Sequence, residues 1–169
     1  MSAWSEVNGA NLAQGDLIRR LLVPSVRADF PSERVIDVIE IDALIATQSC
    51  DLENEKTPSA IVVRAMRITE FEQVNDHYKR NRKNWNIVLR GGVHTLYMLP
   101  SEDGTDSEDR RWVVDFREVY SLPVPYLRRY ATELGKRARL CSPYTEHFSQ
   151  AFARFFMRVA LPENVPDFR

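Results

Sequence analysis

The 169-residue chain lacks several features that would place it in a familiar class. It has no uninterrupted apolar run of roughly 18 residues, which a membrane-spanning helix needs. Its first residues show no basic region followed by an apolar core, so no secretory signal is predicted. Its only two cysteines, Cys50 and Cys141, lie far apart and outside any metal-ligand spacing. We therefore expect a cytoplasmic protein with free thiols and no membrane partner.

The motifs of common enzyme classes are also missing. The chain contains neither of the Gly-rich phosphate loops, nor the Gly-x-Ser-x-Gly turn, nor the His-Glu-x-x-His zinc motif. Its three histidines are well separated and do not combine with the cysteines into a zinc set. We therefore predict no metal and no cofactor. The reaction, if there is one, is not given by a motif.

What the chain does contain is typical of one globular domain. Hydrophobic residues make up 44% and charged residues 28%, and the length suits a single buried core. The net charge of −1 is uneven, because residues 1–60 hold 5 Lys/Arg and 10 Asp/Glu, whereas residues 61–100 hold 7 and 3. The cationic middle segment indicates a basic face or, equally, a solvated helix.

The spacing of apolar residues predicts an α+β fold with a curled antiparallel sheet covered by a final helix. Strands are predicted at 34–47, 60–68, 93–99, 111–116 and 137–141, while 17–23 fits a strand or a short helix. Helices are predicted over 70–86, over 125–134, and from Ser142-Pro143 to Pro162; 48–57 is predicted to be a polar loop and 101–110 an exposed mobile turn. We expect residues 1–13 to pack loosely, 14–162 to form one domain, and 163–169 to be a tail.

The stretch Ile39–Asn54 passes from an apolar strand into a polar turn that carries Cys50 and Asp51. We predict that it is the central strand of a small barrel and that its polar end faces the site. Cys50 would act as a nucleophile if a base such as His77 or His94 lay beside it. The other interpretation is a half-buried structural cysteine, with Asp51 capping a turn.

A second candidate site is the sequence Arg-Gly-Gly-Val-His-Thr-Leu-Tyr, which contains Arg90, His94 and Tyr97. Its two glycines would let the backbone approach a phosphate that Arg90 could pair with. His94 is then the candidate for proton transfer. A tight turn leading into a strand explains the same residues without any ligand.

Basic residues also cluster beside an aromatic residue, at Arg80, Arg82, Lys83 and Trp85. This combination is what phosphate contact together with base stacking requires. Cations near the C-terminal end of a helix, where the helix dipole favours them, are the alternative explanation.

The closing helix places four polar residues on one face: His147, Gln150, Arg154 and Arg158. That face could contact a nucleic acid or a protein partner. It is equally explained as the solvated side of an amphipathic helix.

Several spaced segments resemble the PemK/MazF family of small SH3-like barrel proteins, many of which are toxin endoribonucleases. They are Gly15-Asp16-Leu17-Ile18, Ala43–Asn54, the strand from Ile61 to Thr69, and Val113–Val119 before a C-terminal helix. Within the second segment, Thr47–Leu52 also resembles a motif of uncharacterised bacterial proteins.

The resemblance implies a small antiparallel SH3-like β-barrel, here with an inserted helix and a long amphipathic C-terminal helix. Thr69 would then help Arg90 to hold phosphate. The family carries Arg-Pro before its second strand, whereas this chain has Glu40-Ile41-Asp42. The base, acid and cation of a ribonuclease therefore cannot be placed residue by residue.

Three hypotheses follow. The first is a bacterial PemK/MazF-like protein that binds RNA or another phosphate-bearing ligand, with cleavage as in a toxin-antitoxin or defence nuclease. The second is a non-catalytic adaptor that binds a protein partner or forms a homodimer through the closing helix or a sheet edge. The third is an enzyme that depends on Cys50.

Overall fold

The computed structural model describes residues 2–29, 35–105 and 107–157. The strands are β1 (Trp4–Val7), β2 (Leu17–Val26), β3 (Ile36–Ile45), β4 (Ser59–Arg67), β5 (Leu96–Leu99), β6 (Trp112–Pro123) and β7 (Arg137–Leu140). The helices are α1 (Ser49–Glu53), α2 (Ile68–Val74), α3 (Arg82–Leu89), α4 (Val124–Leu134) and α5 (Tyr144–Phe156), and a 3₁₀ turn spans Glu108–Arg110.

The strands form an antiparallel sheet in the order β2-β3-β4-β6-β5 and a smaller antiparallel pair of β1 with β7. The mixed α and β composition and the antiparallel pairing were predicted. A closed barrel is not found, since β2 and β5 remain the two edges of the larger sheet within the described ranges. Asp16, the residue before β2, instead forms an isolated antiparallel bridge with Arg139 of β7. An SH3-like barrel is therefore not confirmed.

Side chains of the larger sheet alternate between two apolar clusters because successive strand residues point to opposite faces. In β3, Ala43 and Ile45 join the cluster under α4, whereas Leu44 joins the cluster that packs against α5. A third cluster lies beneath α2 and α3. The end of β3 within Ile39–Asn54 contributes to the core, but β3 is the second strand of an open sheet, so the predicted central strand of a barrel is not confirmed.

Several local elements differ from the sequence-based expectation. The predicted helix 70–86 is two helices separated by turns between Asn75 and Asn81, and the predicted loop 48–57 contains α1. Strand β6 is longer than predicted and includes the connection 119–123. Helix α4 ends at Gly135, as predicted. Pro162 and the tail 163–169 lie outside the described residues.

The N-terminal segment is packed rather than loose. Trp4 is buried and its indole Nε1 donates a hydrogen bond to the carbonyl of Pro100 at 2.9 Å. Leu12 and Ala13 are also buried. The segment is fixed because β1 pairs along its whole length with β7, a long-range pairing that short-range apolar spacing does not predict.

A buried ion cluster joins the two sheets. The Asp16 carboxylate is fully buried and accepts hydrogen bonds from Arg137 Nε at 3.0 Å and from Arg139 Nη2 at 2.9 Å. Arg137 also donates to the carbonyls of Gly9 and Asn11. The hydrogen bond to Asp16 raises the pKa of Arg139. These contacts fix β7 against the start of β2.

None of the helices in the described ranges is long and apolar enough to cross a membrane.

Candidate functional site

A cavity of about 320 Å³ lies between α2, α3, β5 and the 3₁₀ turn. Three guanidinium groups line it, those of Arg80, Arg82 and Arg111, and we call it the arginine cavity. Its apolar wall includes Trp85 and Met98. Glu72, Asn86, Glu108 and Asp109 add carboxylates and an amide. The cavity therefore offers charge, hydrogen-bond acceptors and an apolar wall to one ligand.

An aromatic cluster builds this region. The ring of Phe71 in α2 packs edge-on against Tyr78 and Trp85, with centroids 5.5 and 5.7 Å away. Tyr78 and Trp85 pack together at 4.8 Å. The Trp85 indole donates to Glu72 Oε1 at 2.8 Å, which fixes α3 against α2. Trp85 is nearly buried, so it supplies a cavity wall rather than a free stacking surface.

The basic segment lies at the N-terminal end of α3, not at the C-terminal end of a helix. Asn81 caps α3 by accepting the backbone N–H of Asn84 at 3.2 Å, and Arg80 adopts a left-handed conformation with φ of 52° just before the cap. Arg82 and Lys83 occupy the first turn. The helix dipole favours anions at this end, so a favourable interaction with the dipole does not explain why these cations are here.

The arginines differ in their partners. Arg82 Nε lies 3.5 Å from Glu108 Oε2, but their side chains are 85% and 65% exposed, so this ion pair stabilises little. Arg80 makes no hydrogen bond or ion pair with any residue that the structure describes, and its side chain is exposed. Both guanidiniums thus remain accessible to an anion, whereas the first turn of α3 has one N–H group, that of Asn84, already bonded to the Asn81 cap.

Arg90, His94 and Thr69 lie near this region but are not among the described residues that line the cavity. Arg90 follows the last residue of α3, eight residues from Arg82, which places the two about 12 Å apart along the axis. His94 is exposed in the turn before β5, and Thr69 is exposed in the first turn of α2. The structure does not bring these side chains together with Arg80.

Tyr97 belongs to the core on the other side of β5. Its half-buried ring packs against Phe116 and Phe148, with centroids 6.3 and 6.1 Å away. Burial raises the pKa of its hydroxyl. Its neighbour Met98 lines the arginine cavity, and consecutive strand residues point to opposite faces. Tyr97 and Arg80 therefore do not share a site.

Cys50 and Asp51 lie in α1, apart from the arginine cavity. Cys50 is exposed, and its Sγ lies 3.7 Å from Gln48 Oε1 and 3.8 Å from Asp51 Oδ1. Asp51 lines a separate, open groove of about 600 Å³. Within the described part of the chain, neither His77 nor His94 forms a hydrogen bond with this thiol. The contacts of Cys50 are those of a surface thiol beside two acceptors.

On the closing helix α5, His147, Gln150 and Arg154 are exposed, so this face is open to solvent. Arg158, the fourth residue predicted for it, lies outside the described residues.

The sequence reasoning missed the contribution of residues 101–110. The structure places Glu108 and Asp109 on the wall of the arginine cavity, opposite Arg82. The signal available was an acidic run, Glu102 to Asp109, following a basic run at 79–83. Two runs of opposite charge indicate a contact only when the topology is known. Here the pairing of β5 with β6 brings the acidic run next to the basic run.

The part of the chain that the structure describes contains no group of three or more His, Cys, Asp or Glu side chains able to hold a metal ion. No model of a known protein family matches the chain, and no curated protein matches it.

Proposed function

We propose that this protein binds RNA or another phosphate-bearing ligand in the arginine cavity. The observation that carries the proposal is the placement of Arg80 and Arg82 at the N-terminus of α3, on the wall of a cavity. Two cations at this end of a helix are unfavourable with respect to the helix dipole until an anion lies between them and the backbone N–H groups. A phosphate offsets that cost and accepts several hydrogen bonds at once.

The rest of the cavity suits the remainder of a nucleotide. A volume of about 320 Å³ lies at the lower end of the range for small-molecule pockets. The Trp85 and Met98 wall gives an apolar surface, and Glu72 and Asp109 are acceptors for the N–H groups of a base. Binding is better supported than cleavage, because His94 and Thr69 lie outside the cavity lining.

We also propose that the chain is related to the PemK/MazF-like SH3-like proteins. The segments that carry the resemblance include the first residues of β2, the end of β3 together with α1, most of β4 together with the start of α2, and part of β6. They are thus neighbours within one antiparallel sheet. A toxin-like ribonuclease activity stays a prediction, and incubation of the protein with single-stranded RNA followed by gel analysis would detect it.

Fluorescence anisotropy with a labelled 12-nucleotide single-stranded RNA tests the binding. Arg80→Gln and Arg82→Gln should each weaken affinity by roughly 3- to 10-fold, and each lost phosphate contact should reduce the slope of log K against log salt by about 0.7. Arg129→Gln is the matched control, because Arg129 is an exposed arginine on α4, away from the cavity. Equal losses in all three variants, or none, would contradict a specific site.

An interaction module is the second candidate, and an exposed apolar face favours it. In the β2–β3 hairpin, Pro24 pairs with Val38 and Val26 with Ile36, so these side chains share one face with Leu22. Val38 is 66% and Ile36 56% exposed. A patch of this kind on a soluble surface marks a contact site.

For this candidate function, we propose that a second copy of the chain covers the exposed apolar face of β2 and β3. Sedimentation velocity should then show a concentration-dependent dimer that Val38→Asp abolishes, whereas Val74→Asp, at an exposed apolar position in α2, leaves it intact. A monomer at all concentrations would remove this candidate.

A further inference from the structure

A second group of arginines lies on the same side of the molecule as the 3₁₀ turn, around the buried ring of Trp112. Trp112 is fully buried and pairs in register with Arg67 on β4. The guanidinium carbon of Arg67 lies 4.0 Å from the indole centroid, and that of Arg19 lies 5.2 Å from it. Both distances are within the range of cation–π attraction. The indole therefore holds two cations close to one another at the surface.

The carboxylate of Glu102 occupies the space between these cations. Its Oε2 accepts a hydrogen bond from Arg67 Nη2 at 2.5 Å and lies 3.7 Å from Arg19 Nη1. Arg19 also lies 3.5 Å from Asp42. One oxygen thus serves two guanidiniums, whereas a phosphate would offer a separate oxygen to each.

We propose that Arg19, Arg67 and Trp112 form a second phosphate-binding site, in which Glu102 holds the position of a ligand phosphate. This inference rests on the proposed function and extends it, because two phosphate sites require a polynucleotide rather than a single nucleotide. The ligand phosphate displaces the carboxylate of Glu102 and takes over both arginines. Glu102 is therefore an internal competitor of the RNA backbone.

The two sites are connected along the surface. Asp109 lines the arginine cavity and also a groove of about 410 Å³ that contains Arg67, Glu102 and Arg110. On the far side of Glu102, a groove of about 400 Å³ contains Arg19 and Lys136. A single strand can therefore follow one path from the arginine cavity past Arg110 to the second site.

The same loop supplies acids to both sites. Glu102 pairs with Arg67, and Glu108 pairs with Arg82 in the arginine cavity. Asp103 pairs with Arg110 between them. Glu102, Asp103 and Glu108 thus pair with arginines at three places along the path, so binding of a polyanion there requires these carboxylates to move away.

Removal of the competing charge tests the proposal. Glu102→Gln should raise affinity for the labelled 12-nucleotide RNA at least threefold, while affinity for adenosine monophosphate, which fills only the arginine cavity, should not change. Glu133→Gln is the matched control, since Glu133 is an exposed acid on α4 and lines none of these grooves. An unchanged RNA affinity in Glu102→Gln overturns the proposal.

Loss of the arginines gives the opposite expectation. Arg67→Gln and Arg19→Gln should each weaken RNA binding threefold or more and leave binding of the mononucleotide unchanged. Because Arg67 also donates to the carbonyl of Arg110, circular dichroism must show native folding, and Arg19→Gln carries the test if Arg67→Gln is unfolded. RNA binding that depends on Arg80 but not on Arg19 or Arg67 refutes this inference alone. RNA binding that does not depend on Arg80 refutes the proposed function itself.

Discussion

Replacing Asp16 by alanine should destabilise the fold more than any surface substitution. The carboxylate and the side chain of Arg137 are both 0% exposed, so water cannot replace the lost carboxylate as the hydrogen-bond partner of the guanidinium. It would keep only the carbonyls of Gly9 at 2.8 Å and Asn11 at 2.5 Å. Breaking a buried pair by removing one charge costs about 3–5 kcal/mol. For a chain of this size the melting temperature should fall by roughly 6–20 °C.

Urea denaturation followed by tryptophan fluorescence measures the effect. Glu40→Ala is the control, because it removes an ion pair with Arg20 whose side chains are 47% and 77% exposed; its cost should stay below about 1 kcal/mol. Combining Asp16→Ala with Arg137→Met removes both buried charges and should recover part of the loss. A loss below about 1 kcal/mol for Asp16→Ala would refute the reasoning, since the cluster would then not be effectively buried.

Three further predictions concern local features. Gly15→Ala should destabilise the fold by about 1–3 kcal/mol, because Gly15 has φ of +84° and an added Cβ would lie 2.8 Å from the Cβ of Leu140. Gly9→Ala is the comparison, since Gly9 has a similar φ but open space around it, and its loss of stability in the same urea assay should be smaller. Hydrogen bonds from neighbouring hydroxyl groups and an arginine hold the pKa of Asp103 well below its ordinary 3.8, so its stabilising contribution is present at neutral pH and declines as the pH falls below about 4. Asp103→Asn should therefore lower the urea midpoint at pH 7 and lower it less at about pH 3; an equal difference at both pH values would contradict this. Cys50 should react with a thiol reagent before the partly buried Cys141, and Cys50→Ser should leave RNA affinity unchanged; a loss of binding would revive the cysteine hypothesis.

The local spacing of residues was sufficient to predict most strands and two helices. Alternation of β-branched residues marks β3 and β4, and Gly135 marks the end of α4. These signals are reliable because they act within a few residues of the chain. The Gly15-Asp16 pair contributes to the family resemblance, but nothing in the local sequence indicates its role in joining two sheets.

The candidate site was only partly foreseen. Arg80 and Arg82 were selected for their charge beside an aromatic residue, and the structure places them on the wall of a cavity. Tyr97 was grouped with His94 because they are close in sequence, yet its ring lies in the core. Adjacent positions in a strand point to opposite faces, so closeness along the chain does not indicate a common site.

Contacts between distant segments decided the rest. The packing of Tyr78 and Trp85 on Phe71 divides the expected helix into two, and so moves the basic segment to the start of α3. The pairing of β5 with β6 brings the acidic run beside the basic one. Local sequence preferences specify which elements form, because they depend on nearest neighbours. Which charges meet depends on how the elements pack, and that is fixed only by burial of apolar surface in the complete fold.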